Sequence, residues 1–318
     1  MKEPMFQTLK TANEWLKTSD YVCLAVVSKT WGSAPRRQGS LMVIHPEGHF
    51  EGSVSGGCVE GSVISEGLAL GKTKHKTLSY AVSNNQAWEV GLACGGEIEI
   101  QLFKVFPGQS NILEAAIDAL QNRQPINLVF DKTDSNHEAT ASSTAHSHAL
   151  ADSEAKTTLF IIPRKRMLVV GAVHIAQHLS PMAAACDYEI VIVDPRASFT
   201  ENRSFEGASV ITDWPDEYVK ANPIDQSTAI VTLTHDPKID DAILRPALIS
   251  KAFYIGALGS KKTHASRLER LKGFGYSPHA LARINGPIGL NIGAANPAEI
   301  AVSIMAEVTD TLRTSGAV

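Results

Sequence analysis

The sequence predicts an α/β protein in two parts, a compact α/β domain followed by a Rossmann-like domain with a doubly wound parallel sheet. Three observations predict it. The second half alternates short apolar runs with helical patterns, a small polar tract interrupts the middle of the chain, and the first half mixes strand alternation with two helical stretches. At 318 residues the chain is long enough for two domains with separate cores.

Taken in order, the first domain spans residues 1–131. A helical pattern around Phe6 to Lys17 leads into the apolar run Tyr21 to Val27, and strands follow at Leu41 to Ile44 and Phe50 to Val54. A helix beginning near Cys58 carries Val59, Val63 and Ile64 on one side and ends by Gly71. Glu97 to Phe103 alternates polar and apolar residues, the pattern of a half-buried strand.

Residues 132–158 are small and polar, with hardly a large apolar side chain, and read as a linker or a mobile hairpin tip. His146 and His148 within it read as solvated. The Rossmann-like domain then fills 159–318, with strands at Met167 to Val170, Ile190 to Val193, Ala229 to Leu233 and Phe253 to Ile255. A helix covers Ile175 to Ala185, and the last one starts at Pro297 with Asn296 as its cap.

Composition narrows the functional class. The 29 Lys and Arg against 33 Asp and Glu leave a net charge of -4, which argues against nucleic acid as the main partner. No stretch approaches the ~18 apolar residues of a membrane span, and no early segment has the layout of a secretory leader. The expected location is the cytoplasm. Four cysteines are too few for a disulfide scaffold. Cys23 and Cys186 read as small buried hydrophobes, whereas Cys58 and Cys94 each stand beside a pair of glycines.

Those glycines either serve chemistry or merely allow a tight strand-to-helix turn, with Cys58 packed as a small apolar cap. Gly56 and Gly57 fall between a strand and a helix, where backbone NH groups and the helix dipole make a seat for an anion. Cys58 would share that positive field and ionise readily. Cys94, Gly95 and Gly96 form the second such turn, and both thiols are candidates to contact a soft metal or a sulfur atom. In the loop Gly32-Ser33-Ala34-Pro35-Arg36-Arg37, Ser33 and Arg36 offer a hydroxyl and a planar fork for phosphate or carboxylate.

In the second domain Gly171 opens a turn where a dinucleotide fingerprint belongs, with Asp194 as the acidic residue ending the next strand. Val173 stands where the middle glycine would let a pyrophosphate approach. A second turn offers Gly256, Gly259 and Ser260 to an anion, and His235 lies on the carboxyl edge of the sheet, either as an acid or base or as a satisfied turn residue.

Together, Gly32 to Arg36, Gly52 to Glu60 and Cys94 to Gly96 resemble the signature of the XdhC/CoxI family of xanthine dehydrogenase accessory proteins. Asp194-Pro195-Arg196, Thr234-His235-Asp236, Gly256 to Ser260 and Pro287 to Leu290 are similar to that family's Rossmann domain. The resemblance implies a chaperone that binds the molybdenum cofactor, as molybdopterin or its dinucleotide. It also implies protection during sulfuration with a cysteine desulfurase and insertion into a molybdenum hydroxylase apoenzyme. On this reading Glu60 joins the cofactor-binding residues, no residue is catalytic, and a homodimer would help to shield the cargo. The alternative is an NAD(P)-dependent oxidoreductase, with Asp194 on a ribose hydroxyl and His235 near the chemistry.

Overall fold

In the computed structural model, which describes residues 4–32, 36–57, 59–81, 96–133, 136–141, 149–201 and 203–314, the chain divides into Met1–Pro163 and Arg164–Val318. The domain boundary thus falls after the polar tract, which belongs to the first unit.

The first unit is organised by a strand with two buried faces. Val22, Leu24 and Val26 enter one core while Cys23, Ala25 and Val27 enter another, as the period of two requires. The elements run α1 (Pro4–Trp15), β1 (Val22–Trp31), β2 (Leu41–Ile44), β3 (Phe50–Gly52), α2 (Glu60–Leu68), β4 (His75–Ala81) and β5 (Glu97–Val105). Then come α3 (Ser110–Gln121), β6 (Ile126–Asp131), β7 (Glu138–Ala141), β8 (Leu150–Asp152) and β9 (Lys156–Ile161). Five antiparallel strands order as β3-β2-β1-β5-β4, and four more as β7-β6-β9-β8.

One face of the larger sheet packs on α1, α3 and the smaller sheet through Leu9, Leu113, Phe103 and Phe130, the two phenyl rings stacking at 4.8 Å. The other face packs on α2 through Val59 and Val63. Each fully buried side chain of this kind contributes ~1.5–3 kcal/mol. The polar tract therefore contributes strands β7 and β8, not a free linker, while His146 and His148 lie outside the described residues. Helix α2 begins at Glu60, two residues later than its pattern places it, and ends at Leu68 before the Gly71 turn.

The second unit runs β10 (Arg166–Val170), α4 (His174–Ala185), β11 (Glu189–Val193), α5 (Ala197–Thr200), β12 (Ala208–Ile211), α6 (Pro215–Ala221) and β13 (Thr228–Thr232). It continues through α7 (Pro237–Ile249), β14 (Tyr254–Ala257), α8 (Lys261–Gly273), α9 (Pro278–Leu281), β15 (Ile284–Asn285) and α10 (Pro297–Thr314). All six strands are parallel, in the order β12-β11-β10-β13-β14-β15. The order reverses between β11 and β13, around β10, as in doubly wound dinucleotide-binding folds. Asn296 caps α10 as its sequence predicts, its side chain accepting from the Glu299 NH at 3.0 Å.

Cys23 is buried, and burial pushes its thiol up to about 12. Cys186 instead is exposed: it ends α4, where Asp187 turns the chain out with φ 63°. No helix among the described residues is long and apolar enough to cross a membrane.

Candidate functional site

The Ser53–Glu60 turn joins β3 to α2. Gly56 and Gly57 both adopt positive φ, 78° and 116°, which side-chain-bearing residues rarely do, so the chain curls with its NH groups pointing inward. The anion these donors meet is the chain's own Glu60. Its Oε1 accepts from the NH groups of Val54 (3.2 Å), Ser55 (2.9 Å) and Gly56 (3.0 Å) and from the Ser53 hydroxyl (2.8 Å). Its Oε2 accepts from the Gly57 NH at 2.9 Å and from the Ser55 hydroxyl.

Burial by itself would raise the Glu60 carboxyl. The donors, led by the Ser55 hydroxyl and NH and then Ser53, outweigh it and bring the pKa from 4.5 down to about 2. A carboxylate in the first turn also lies against the positive end of α2. The seat expected for an external anion is therefore filled from within, and the positive field expected to activate Cys58 is offset by an adjacent negative charge.

The turn is fixed on both sides of residue 58. Gly57 donates to Glu60, and the Val59 NH donates to the Ser55 hydroxyl at 2.9 Å. Arg36 reaches the same turn, its Nε donating to the Ser53 hydroxyl at 3.3 Å, so the arginine loop and the glycine turn are joined. Ser33, Cys58, Cys94 and Gly95 lie outside the described residues. Gly96 is described, and it immediately precedes β5.

In the second unit Gly171, Asp194, Gly256 and Ser260 are engaged by neighbouring residues of the fold. Asp194 is fully buried at the end of β11; its Oδ2 accepts from the Ala172 NH at 2.8 Å and from Arg196 Nη2 at 2.7 Å. Oδ1 accepts from Arg196 Nε at 2.8 Å and from the Arg196 NH at 3.0 Å. Burial would raise this carboxyl, but the Arg196 fork and the two NH donors hold it below its ordinary value. Both oxygens that would face a ribose hydroxyl are thereby committed. Val173, extended at φ -104°, is the residue before α4, and the Gly171 NH donates to Val193 O at 3.0 Å.

Gly256 serves packing. A Cβ there would stand 2.5 Å from the Tyr254 hydroxyl and 2.6 Å from Ile288 Cδ1. Gly259 precedes Ser260, whose hydroxyl caps α8 by accepting from the Thr263 NH at 3.1 Å. His235 is exposed at φ 60°, between Thr234, which donates to Asp240 at 2.6 Å, and the α7 cap Asp236.

Sequence reasoning missed the pair beneath these turns. Asp240 and Arg267 are both nearly fully buried, 3.7 Å apart, and Arg267 Nη2 donates to Leu258 O at 2.7 Å. They tie the turn after β13 to the turn after β14. In sequence they look like ordinary charges on two solvated helices. Among the described residues no group of three His, Cys, Asp or Glu side chains could hold a metal ion.

The two units thus define a protein with a Rossmann-type second domain and an antiparallel first domain bearing a carboxylate-filled glycine turn. The family description "XdhC and CoxI family" matches residues 15–81, across that turn, and "XdhC Rossmann domain" matches residues 167–308. The chain belongs to the XdhC and CoxI family.

Its relatives include the molybdenum cofactor insertion chaperone PaoD of Escherichia coli (strain K12), 29% identical over 301 residues, covering 94% of this chain and 86% of that protein. A Bacillus subtilis (strain 168) protein named as a probable xanthine dehydrogenase subunit is 27% identical over 320 residues, covering 93% of this chain and 94% of that protein. A crystal structure from Bacillus halodurans, described as a xanthine dehydrogenase, shares the fold with a TM-score of 0.67 at 24% identity, covering 96% of each chain.

Proposed function

We propose that this chain is an accessory protein of molybdenum hydroxylases that binds the molybdenum cofactor as cargo. In this reading it shields the cofactor while a cysteine desulfurase supplies the terminal sulfido ligand. It then delivers the cofactor to a xanthine dehydrogenase-type apoenzyme, working in the cytoplasm as a homodimer. Among the relatives, the insertion chaperone supports this reading, matched along almost the whole chain.

The observation that carries the reading is the Glu60-centred turn. Six donors are spent on one carboxylate to fix the backbone on either side of Cys58, although glycines add nothing to a core. Fixing a thiol-bearing turn serves chemistry at the thiol: thiolates bind soft metals, and a coordinated thiol loses its proton to the metal without help from a helix dipole. With the glycine NH groups committed to Glu60, Arg36 at the rim of the turn is the group left to meet the cofactor's phosphate. The phosphate is thus assigned to the arginine loop and the molybdenum or its sulfur to Cys58 and Cys94.

The test is co-purification. The wild-type protein, expressed in cells that make the cofactor, is expected to carry molybdenum and a fluorescent oxidised pterin in equal amounts, and to activate a hydroxylase apoenzyme. Replacing Cys58 and Cys94 together with alanine is expected to remove most of the bound molybdenum. Retention of cofactor at wild-type level by the double variant would overturn the assignment to the thiols. Light scattering of the wild-type protein tests the dimer.

A further inference from the structure

The geometry points to a second site on the first unit: a cleft that binds the fused bicyclic head of a 2-amino-4-oxopyrimidine heterocycle between Trp31 and Glu97. One face of the central sheet changes character along β5. Phe103 is in the core, Gln101 is buried and polar, Glu99 is half-buried, and Glu97 is exposed. The opposite residues on β1 and β4 follow suit, with Lys29 and Ser79 facing Glu99 and Trp31 facing Glu97. These residues, with Gln38, line a cleft of about 450 Å³, within the ~300–1,000 Å³ typical of small-molecule sites.

The floor is organised from below. Gln101, 1% exposed, accepts from Thr77 at 2.8 Å and pairs with His75 at 2.8 Å, and it donates to Glu99 and to the Ser28 hydroxyl, both at 3.2 Å. Ser28, itself fully buried, donates to Glu99 at 2.7 Å, and Lys29 closes on the same carboxylate at 3.2 Å. Glu99 is thereby held by Ser28, Gln101 and Lys29. The Glu97 side chain, one pair further along, has no hydrogen-bond or ion-pair partner among the described residues, and it stands opposite an indole that is 70% exposed.

A carboxylate beside an exposed aromatic face selects a particular chemistry. It accepts two parallel hydrogen bonds from a ring N–H and an adjacent amino group, as it does from a guanidinium, while the heterocycle stacks on the indole. Pterins and guanine share that two-donor edge; adenine lacks it. The choice of a pterin ligand rests on the cofactor-chaperone reading, since molybdopterin carries that head, and guanine is the nucleobase that shares its edge.

The experiment titrates the full-length protein with fluorescent pterin-6-carboxylate, with guanosine monophosphate and adenosine monophosphate as competitors. Trp31→Ala and Glu97→Gln are compared with wild type after melting curves show that both fold. Wild type is expected to bind the pterin, and each substitution to weaken it at least ~10-fold, the scale of a lost stacked base. Adenosine monophosphate is expected not to compete. Tighter binding of guanosine monophosphate than of pterin, with the same dependence on Trp31 and Glu97, would assign the cleft to the nucleotide end of the cofactor. Variant affinities within twofold of wild type, or no binding of either probe, overturn the cleft. If wild type still co-purifies with molybdenum and pterin in that case, the chaperone reading survives; failure of that co-purification sinks the chaperone reading by itself.

Discussion

Replacing Glu60 with glutamine is the sharpest test of the turn at the start of α2. The amide keeps a carbonyl for the donors on Oε1 but turns an NH2 toward the Gly57 NH and the Ser55 hydroxyl, which now serve Oε2. Ser55 Oγ, which accepts from the Val59 NH, can turn a second lone pair to the amide, but only for a neutral bond, and the donor-only Gly57 NH has no such recourse. Two charge-assisted bonds at ~1.5–3 kcal/mol each are lost or reversed, so the first unit should lose about 3 kcal/mol. At ~2–4 °C per kcal/mol for a domain of this size, that is roughly 6–12 °C in the melting of the first unit. The pH dependence supplies a second reading. The folded pKa of about 2 lies below the ordinary 4.5, so the wild-type carboxylate's contribution is full above pH 4.5 and lost as the pH falls toward 2. Calorimetry of wild type and Glu60→Gln between pH 7 and 3 should show that limb in wild type alone. A variant that melts within about 2 °C of wild type with an unchanged acid limb would refute the assignment.

The second unit yields three further expectations. Asp194→Asn leaves the Arg196 guanidinium without its bidentate partner and should cost about 2–3 kcal/mol in denaturant unfolding of that unit. Because the Asp194 carboxyl is held low, its contribution exists above the ordinary carboxylate pKa and fades as pH falls, and the variant should lack that dependence. Gly256→Ala drives a methyl against the Tyr254 hydroxyl and Ile288 and should destabilise by ~1–3 kcal/mol, measurable as a lower urea midpoint; a neutral result would mean that β14 and the Ile288 segment shift apart freely. Titration with NAD and NADP at millimolar concentration should release no heat, and a saturable signal lost in Asp194→Asn would restore the oxidoreductase reading.

Much of the Rossmann half was legible because its strands are buried on both faces. Runs such as Ile190 to Val193 announce themselves without reference to anything else. The strand Glu138–Ala141 does not. Its Glu-Ala-Thr-Ala has no large residue, and it pairs as a strand because β6 supplies Leu128 opposite Ala139, which packs on the main core. Small side chains are required where the neighbours are large, and composition alone reads them as a linker. The Asp240–Arg267 pair was invisible for a related reason: the two residues lie on separate helices and meet only through the fold.

The glycine turn was located in the sequence, but its electrostatics were inverted, and the inversion bears on function. A helix start preceded by two glycines invites an external anion. The acidic residue at the first helical position supplies one internally, at no cost in ligand-ordering entropy. A turn filled in this way has its Val54, Ser55, Gly56 and Gly57 NH groups spent on its own carboxylate. For an enzyme nucleophile that would be a defect. On the proposed chaperone reading, a turn whose donors are spent internally and a phosphate met by the exposed Arg36 would both favour release. The same logic separates the two proposed contacts. The Glu60 turn fixes the backbone beside Cys58, where the metal's sulfur would be handled, while the cleft at Trp31 and Glu97 would read the organic head and decide which cofactor is carried.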